Sequence, residues 1–312
     1  MNKSFFIILP ATILAFLSGC DFLTNPQTTP NTSQIPWGKI TRKIVFVNQD
    51  EGEYADAKHL YVIDGQSKSL REVKKSSSDD FYDPVISPRG DQIAYDGKVE
   101  NFDLNLLNLS NGNITTYQRS VFAGFTRHNT LVSYYFYPDA TREMRINGVK
   151  VNILIDANSN IAFGPNDEFL VYSTGAQSGV ANQLIKFNLM DSTSQIIVGD
   201  TATQTNNPDV SQDGRMVIYS KSFNSAHRWT EIWLANIDGS NDHKIISGDH
   251  LDFDFPMWSP DDKYIVCSSS VVYDTFYGGY AVGTNIWLYD VAKDTTQQLI
   301  NINGYNSSWS KQ

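Results

Sequence analysis

One turn-centred pattern recurs along the chain, and it constrains the fold more than any other feature. Its clearest copies are Pro84-Val85-Ile86-Ser87-Pro88-Arg89-Gly90-Asp91, Pro208-Asp209-Val210-Ser211-Gln212-Asp213-Gly214-Arg215 and Pro256-Met257-Trp258-Ser259-Pro260-Asp261-Asp262-Lys263. Each joins two apolar runs through Gly- and Asp-rich residues, which accept a positive φ or hydrogen-bond their own backbone in tight turns. A degraded copy runs from Ile161 through Gly164-Pro165-Asn166-Asp167 to Tyr172, and a weaker one from Phe122 through Phe125 to Val132. Third strands follow, as in Leu104 to Asn108, Leu184 to Asn188, Ile232 to Asn236 and Ile286 to Asp290, and most units add a short fourth. Beyond Lys43 no stretch sustains a helical period; short runs rich in Val, Ile, Tyr and Phe alternate with turn residues. Four strands in about 40 to 50 residues is the period of a propeller blade.

The outermost strands set the count. Lys43 to Val47 reads as a second strand lacking a first, and Tyr305 to Ser310 as a first strand lacking a second. Pairing them completes one blade and removes two free sheet edges. With the units near residues 80, 120, 158, 204 and 253 this makes six. The expected fold is therefore all-β: a six-bladed β-propeller of four-stranded antiparallel blades over residues 43–312, its ring closed by a blade shared between the N- and C-terminal strands.

These repeats, above all Pro256-Met257-Trp258-Ser259-Pro260-Asp261-Asp262, resemble those of TolB-like six-bladed β-propellers. The resemblance covers nearly all of residues 43–312 and is specific for fold. For function it implies only a range, since related blades occur in TolB of the Tol-Pal envelope system, in prolyl oligopeptidase-type peptidases and in surface lipoproteins. The stretch between Cys20 and the first blade leaves no room for the α/β domain that precedes the TolB propeller.

The start of the chain assigns a compartment. Lys3 precedes an apolar stretch from Phe5 to Leu17, shorter than the ~20 residues that span a bilayer. Leu17-Ser18-Gly19-Cys20 then resembles a bacterial lipobox, so residues 1–19 are expected to be a lipoprotein signal peptide and Cys20 the lipidated residue. Several acyl chains on one residue give lasting attachment where a single chain does not. Residues 20–42, rich in Thr, Asn, Gln, Ser and Pro, read as a flexible tether with a root-mean-square reach of roughly 20 to 25 Å. The expected location is the bacterial cell envelope, on the periplasmic or extracytoplasmic side; Asp21 resembles an inner-membrane retention signal. A net charge of −10 without a basic block argues against nucleic acid and against electrostatic docking on anionic lipid.

No catalytic constellation emerges. The sequence contains no Gly-x-Ser-x-Gly elbow, and His59, His128, His227, His243 and His250 fall mostly in different blades without metal-ligand spacing. Asp156 to Asn160 with Asp167 approaches a calcium loop, but Ile161 stands where the sharp turn needs Gly. No metal and no cofactor are expected. Asp249, Asp252 and Asp254 cluster ahead of a first strand, at the expected channel mouth. The connections from second to third strands are long and share a face with the links between blades. Lys221 to Thr230 carries Phe223, His227 and Trp229; Ser270 to Thr284 carries Tyr273, Phe276, Tyr277 and Tyr280. Aromatics on loops either pack over their neighbours or form a contact patch. The expected function is that of a monomeric, non-enzymatic protein-binding or scaffolding propeller, using this face to meet an envelope protein. The alternative is a carbohydrate-binding or carbohydrate-active propeller that acts on a glycan.

Overall fold

The computed structural model describes residues 32–49, 58–76, 81–97, 103–138, 142–151, 161–174, 182–200, 203–223, 229–248, 251–272, 281–300 and 304–312. Their strands form six four-stranded antiparallel sheets. Blade 1 contains β4 (Tyr82–Ile86), β5 (Gln92–Asp96), β6 (Leu104–Asn108) and β7 (Ile114–Tyr117). Blade 2 contains β8 (Ser120–Phe125), β9 (Leu131–Phe136), β10 (Arg142–Ile146) and β11 (Val149–Lys150). Blade 3 contains β12 (Ala162–Phe163), β13 (Phe169–Ser173), β14 (Asn182–Asn188) and β15 (Ser194–Asp200). Blade 4 contains β16 (Thr203–Val210), β17 (Met216–Phe223), β18 (Thr230–Asn236) and β19 (His243–Ile246). Blade 5 contains β20 (Leu251–Trp258), β21 (Tyr264–Val272), β22 (Ala281–Asp290) and β23 (Thr295–Ile300). Blade 6 is the shared one: β24 (Gly304–Trp309) pairs with β1 (Lys43–Gln49), which continues into β2 (Lys58–Asp64) and β3 (Ser69–Ser76). The register sets Ile44 opposite Trp309 and Val45 opposite Ser308.

Period-two alternation explains why the sheets stack as blades. In β1, Ile44 and Phe46 pack toward blade 5, joining Val266, Ile286, Leu288 and Trp309, whereas Val45 and Val47 pack toward blade 1, joining Phe81, Ile86, Ile93 and Tyr95. Both sheet faces are thus buried, at roughly 1.5–3 kcal/mol for each large apolar side chain removed from water. Trp258 and Trp309 are fully enclosed in these layers.

The packed chain begins earlier than the sequence suggested. Short 3-10 turns at Thr32–Gln34 and Trp37–Lys39 precede β1. Ile35 and Ile40 are buried against the blade 5/blade 6 core, and Trp37 packs on it. Lys39 Nζ donates to Gln297 Oε1 at 2.7 Å. The last part of the expected tether is therefore docked, because three apolar residues interrupt its polar composition. Residues 1–31, including Cys20 and Asp21, lie outside the described residues.

The repeat turns interlock around the ring. Ser87, Ser211 and Ser259 each accept a backbone N–H across the turn and donate to a turn carboxylate, Asp91, Asp213 or Asp261. The fourth turn residue instead reaches the preceding blade. Asn129 Oδ1 accepts from Arg89 N at 2.9 Å, Asp167 Oδ1 from Arg127 N at 2.6 Å, and Asp262 from Gln212 N and Asp213 N at 2.7 and 3.1 Å. At Gly214, with φ +74°, a Cβ would lie 2.7 Å from Pro165, which has no N–H to receive a cap. Thus Asp213 is a local turn residue, and Asp262 is a strut between blades.

Candidate functional site

The first strands of all six blades surround a central channel. Its walls are mainly apolar, with Val85, Phe122, Phe125, Ile161, Phe163 and Met257 among them, and Pro84, Pro208 and Pro256 stiffen three strands. The six first strands run alike, so one end of the channel meets the interstrand loops and the blade links, and the other meets the repeat turns.

At the loop end, bulges tilt the first strands. Register shifts fall between Tyr82 and Val85, Phe122 and Gly124, Asn206 and Asp209, and Asp254 and Met257, with another in the β1/β24 pairing. Asp83, Asn207, Phe255 and Asn306 occupy equivalent bulge positions, with φ between +44° and +54°. Asp and Asn accept this left-handed conformation because their short polar side chains bond locally; a Phe does not share that property. Phe255 is nevertheless held there, half-buried on the channel wall. Held strain of this kind clusters at ligand-contacting positions.

The neighbouring polar groups are ordered. Asn306 Nδ2 donates to Asp83 Oδ1 at 2.8 Å, and Asn207 Nδ2 to Asp254 Oδ1 at 2.9 Å. Asp254 also accepts from Ser220 Oγ and from Phe255 N. Burial pushes the Asp83 carboxyl up to about 6, reinforced by the nearby Asp254. Burial likewise pushes Asp96 up to about 7, against the opposing Phe122 N–H bond. Both carboxyls are poised near neutrality; Asp83 lines the channel, and Asp96 ends β5 and bonds across to the first strand of blade 2.

The expected site residues separate into groups. Asp254 is at the mouth, but it is turned toward Asn207 and Ser220 of blade 4. Asp252 accepts from Thr230 N at 2.6 Å and pins blade 5 to blade 4 rather than facing the channel. The half-buried Phe223 ends β17 and packs its ring against Trp233, with centroids 6.5 Å apart. Trp229 is half-buried just before β18. His227, Tyr273, Phe276, Tyr277 and Tyr280, along with Asp249 and Asp156, lie outside the described residues. Strands also extend further than expected: Lys221 belongs to β17, and Val271 and Val272 pair with Val282 and Ala281, so two loops are shorter at their bases. Among the described residues, no three His, Cys, Asp or Glu side chains gather as a metal-ligand set. Cys267 is buried and its thiol is pushed up by burial, so it is inert.

Sequence reasoning did not single out Asp83, Asn207, Phe255 and Asn306. Their signal was the residue before the repeat's first proline, present in three copies.

No family model and no curated protein matches the sequence. Solved structures match the fold. TolB from Acinetobacter baumannii aligns with a TM-score of 0.65 and 13% identity, over 88% of this chain and 68% of that one. A TolB candidate from Agrobacterium tumefaciens aligns at 0.63 with 17% identity, over 86% and 94%. A chain of the nidogen/laminin complex aligns at 0.60 with 8% identity, over 85% and 97%. The molecule has the six-bladed β-propeller fold, and the TolB propellers are among the structures that share it.

Proposed function

We propose that this chain is a lipid-anchored envelope protein whose propeller binds another protein through its loop face and channel mouth. One observation carries the reading. An apolar channel wall presents the half-buried Phe255 in a left-handed conformation that its side chain does not favour, and the Asp83 carboxyl on the same wall is held near neutrality. Such a surface suits an extended protein segment, with apolar side chains against the Pro and Phe walls and polar backbone against Asp83, Asn207 and Asn306. Cys20, as the acylated residue, supplies the attachment.

A photo-crosslinking residue at Phe255 in the anchored protein tests the reading. The expected result is a reproducible protein adduct, lost with Asn207→Ala/Asn306→Ala but retained with His128→Ala on the opposite face. No protein adduct, combined with retention of a polysaccharide by the purified chain, would overturn it. Cys20→Ser should move the protein from the membrane fraction to the soluble one; unchanged fractionation would refute the anchor.

A further inference from the structure

The turn end of the channel departs from the repeat in a regular way. The residue after the first turn position is Pro88, Pro165 and Pro260 in blades 1, 3 and 5, and Arg127, Gln212 and Lys311 in blades 2, 4 and 6. Long polar side chains thus alternate with prolines around the ring, three where six would crowd.

These side chains reach past their neighbours. Lys311 Nζ lies 2.5 Å from Asp209 Oδ2 in blade 4 and donates to Trp258 O in blade 5 at 2.8 Å. Arg127 Nε donates to Phe163 O in blade 3 at 2.9 Å; its Nη2 donates to Val210 O at 2.6 Å and its Nη1 to Gln212 Oε1 at 3.0 Å, both in blade 4. The backbone N–H groups of Lys311 and Gln312 converge on Pro88 O in blade 1, at 3.0 and 2.7 Å, and Gln312 Nε2 donates to Arg127 O at 2.5 Å. All six blades are tied through this one layer. The Lys311 and Asp209 side chains are each only 7% exposed, Arg127 is half-buried and Gln212 is exposed.

We propose that Arg127, Gln212 and Lys311 form a floor that seals the channel at the turn face, making it a one-ended pocket that a partner can enter only from the loop face. A sealed floor limits the occupant to a chain end, a loop or a side chain and forbids threading of a polymer. Among the described residues that line the channel, Arg127 and Lys311 are the two cations, and both spend side-chain donors on the floor. The floor stands or falls independently of whether the partner is a protein.

Its test places a thiol beneath the floor. In the full chain carrying Cys20→Ser, the remaining native thiol is the buried Cys267. Pro88→Cys then reports the floor and Phe255→Cys the mouth. A maleimide on a long polyethylene glycol should modify Pro88→Cys at least about a hundredfold more slowly in the native protein than in urea, as expected where access needs local opening. Adding Arg127→Met/Lys311→Met should bring the rate within roughly tenfold of the urea value. If Cys267 becomes reactive in that variant, the ring itself has opened, and Arg127→Lys/Gln212→Ala, which keeps every charge, decides by the same criterion. A Pro88→Cys thiol that reacts freely with the floor intact overturns the proposal, as does protection that persists in a folded floor variant. Failure of Phe255→Cys to react with small maleimide would count against the mouth, not the floor.

Discussion

Replacing Lys311 by Met should destabilise the protein more than any surface substitution, and the pair it forms with Asp209 supplies the magnitude. The ammonium lies 2.5 Å from a carboxylate whose side chain is as buried as its own. Removing the ammonium leaves the carboxylate buried, with the Trp258 N–H at 2.7 Å as its remaining donor among the described residues. Breaking a buried pair from one side costs about 3–5 kcal/mol. Asp209→Asn should cost less, because Lys311 can release its proton: burial already pushes its ammonium down to about 8, against the pull of Asp209 and with Arg127 adding to the depression. Raising the pH from 7 to 9 should therefore shrink the Asp209→Asn deficit and widen the Lys311→Met deficit, since the folded wild type releases a proton there that its unfolded chain still holds. In Lys311→Met/Asp209→Asn both charges are gone, and an amide oxygen can still accept from Trp258 N. The double variant should lose about 1–2 kcal/mol, well below the sum of the singles. Urea unfolding followed by tryptophan fluorescence measures each value as a shift of midpoint at constant slope. A loss under about 1 kcal/mol for Lys311→Met, or additivity of the singles to within about 0.5 kcal/mol, would refute the assignment of this pair as the bolt of the floor.

Other consequences can be measured with the same assay. Trp309→Ala, at the ring-closing strand, should cost about 3–5 kcal/mol in urea because the indole is fully enclosed. Asp262→Ala removes the acceptor for two backbone N–H groups of the neighbouring turn and should cost about 1–2 kcal/mol, whereas Asp262→Asn should recover part of it. Phe255→Asn should change stability by less than about 1 kcal/mol, since relief of the left-handed strain offsets lost burial. The two raised carboxyls give a pH signature. Between the ordinary carboxylate range and the raised values of Asp83 and Asp96, the folded protein holds protons that the unfolded chain has released, so stability on their account falls as pH rises from about 4 to about 7. Asp96→Asn, which keeps an acceptor for Phe122 N, should flatten the urea midpoint over that window; an unchanged slope would assign the titration elsewhere.

The blade count was legible because each repeat carries its own turn chemistry: Asp91 and Asp213 sit in the turns that the Gly- and Asp-rich pattern marks, each accepting from the turn's serine. Closure was legible because Ile44 to Val47 and Tyr305 to Ser310 are halves of one pattern. Loop bases were misjudged at Ser270, since β21 continues through the polar run Ser268-Ser269-Ser270 to Val272, with Ser268 Oγ accepting from Ser307 N and Ser269 Oγ from Trp287 Nε1. At the mouth, composition misled. Asp252 and Asp254 form a visible cluster, but strand alternation and the bulge turn them toward blade 4, whereas Asp83, just before a proline, lines the channel. The floor was illegible for a different reason: Arg127 and Lys311 find their partners between 36 and 102 residues away, and no local pattern announces a bond of that separation.

What the repeat hides, its exceptions disclose. A blade needs a turn that caps its neighbour and a first strand that packs against two others, and every position that follows the consensus is accounted for by those demands. Where consensus is lost, a second demand must be acting. Gly214 answers to Pro165, which has no N–H to cap, and that exception is structural. Arg127, Gln212 and Lys311 replace proline in alternate blades and meet across the axis, which no single blade requires. Phe255 replaces an Asp or Asn in a conformation that costs it about 1–2 kcal/mol, which no single blade requires either. One group closes the channel and the other lines its opposite mouth. Two departures at the two ends of one cavity fit the one-ended pocket proposed above, and packing six blades around an axis calls for neither of them.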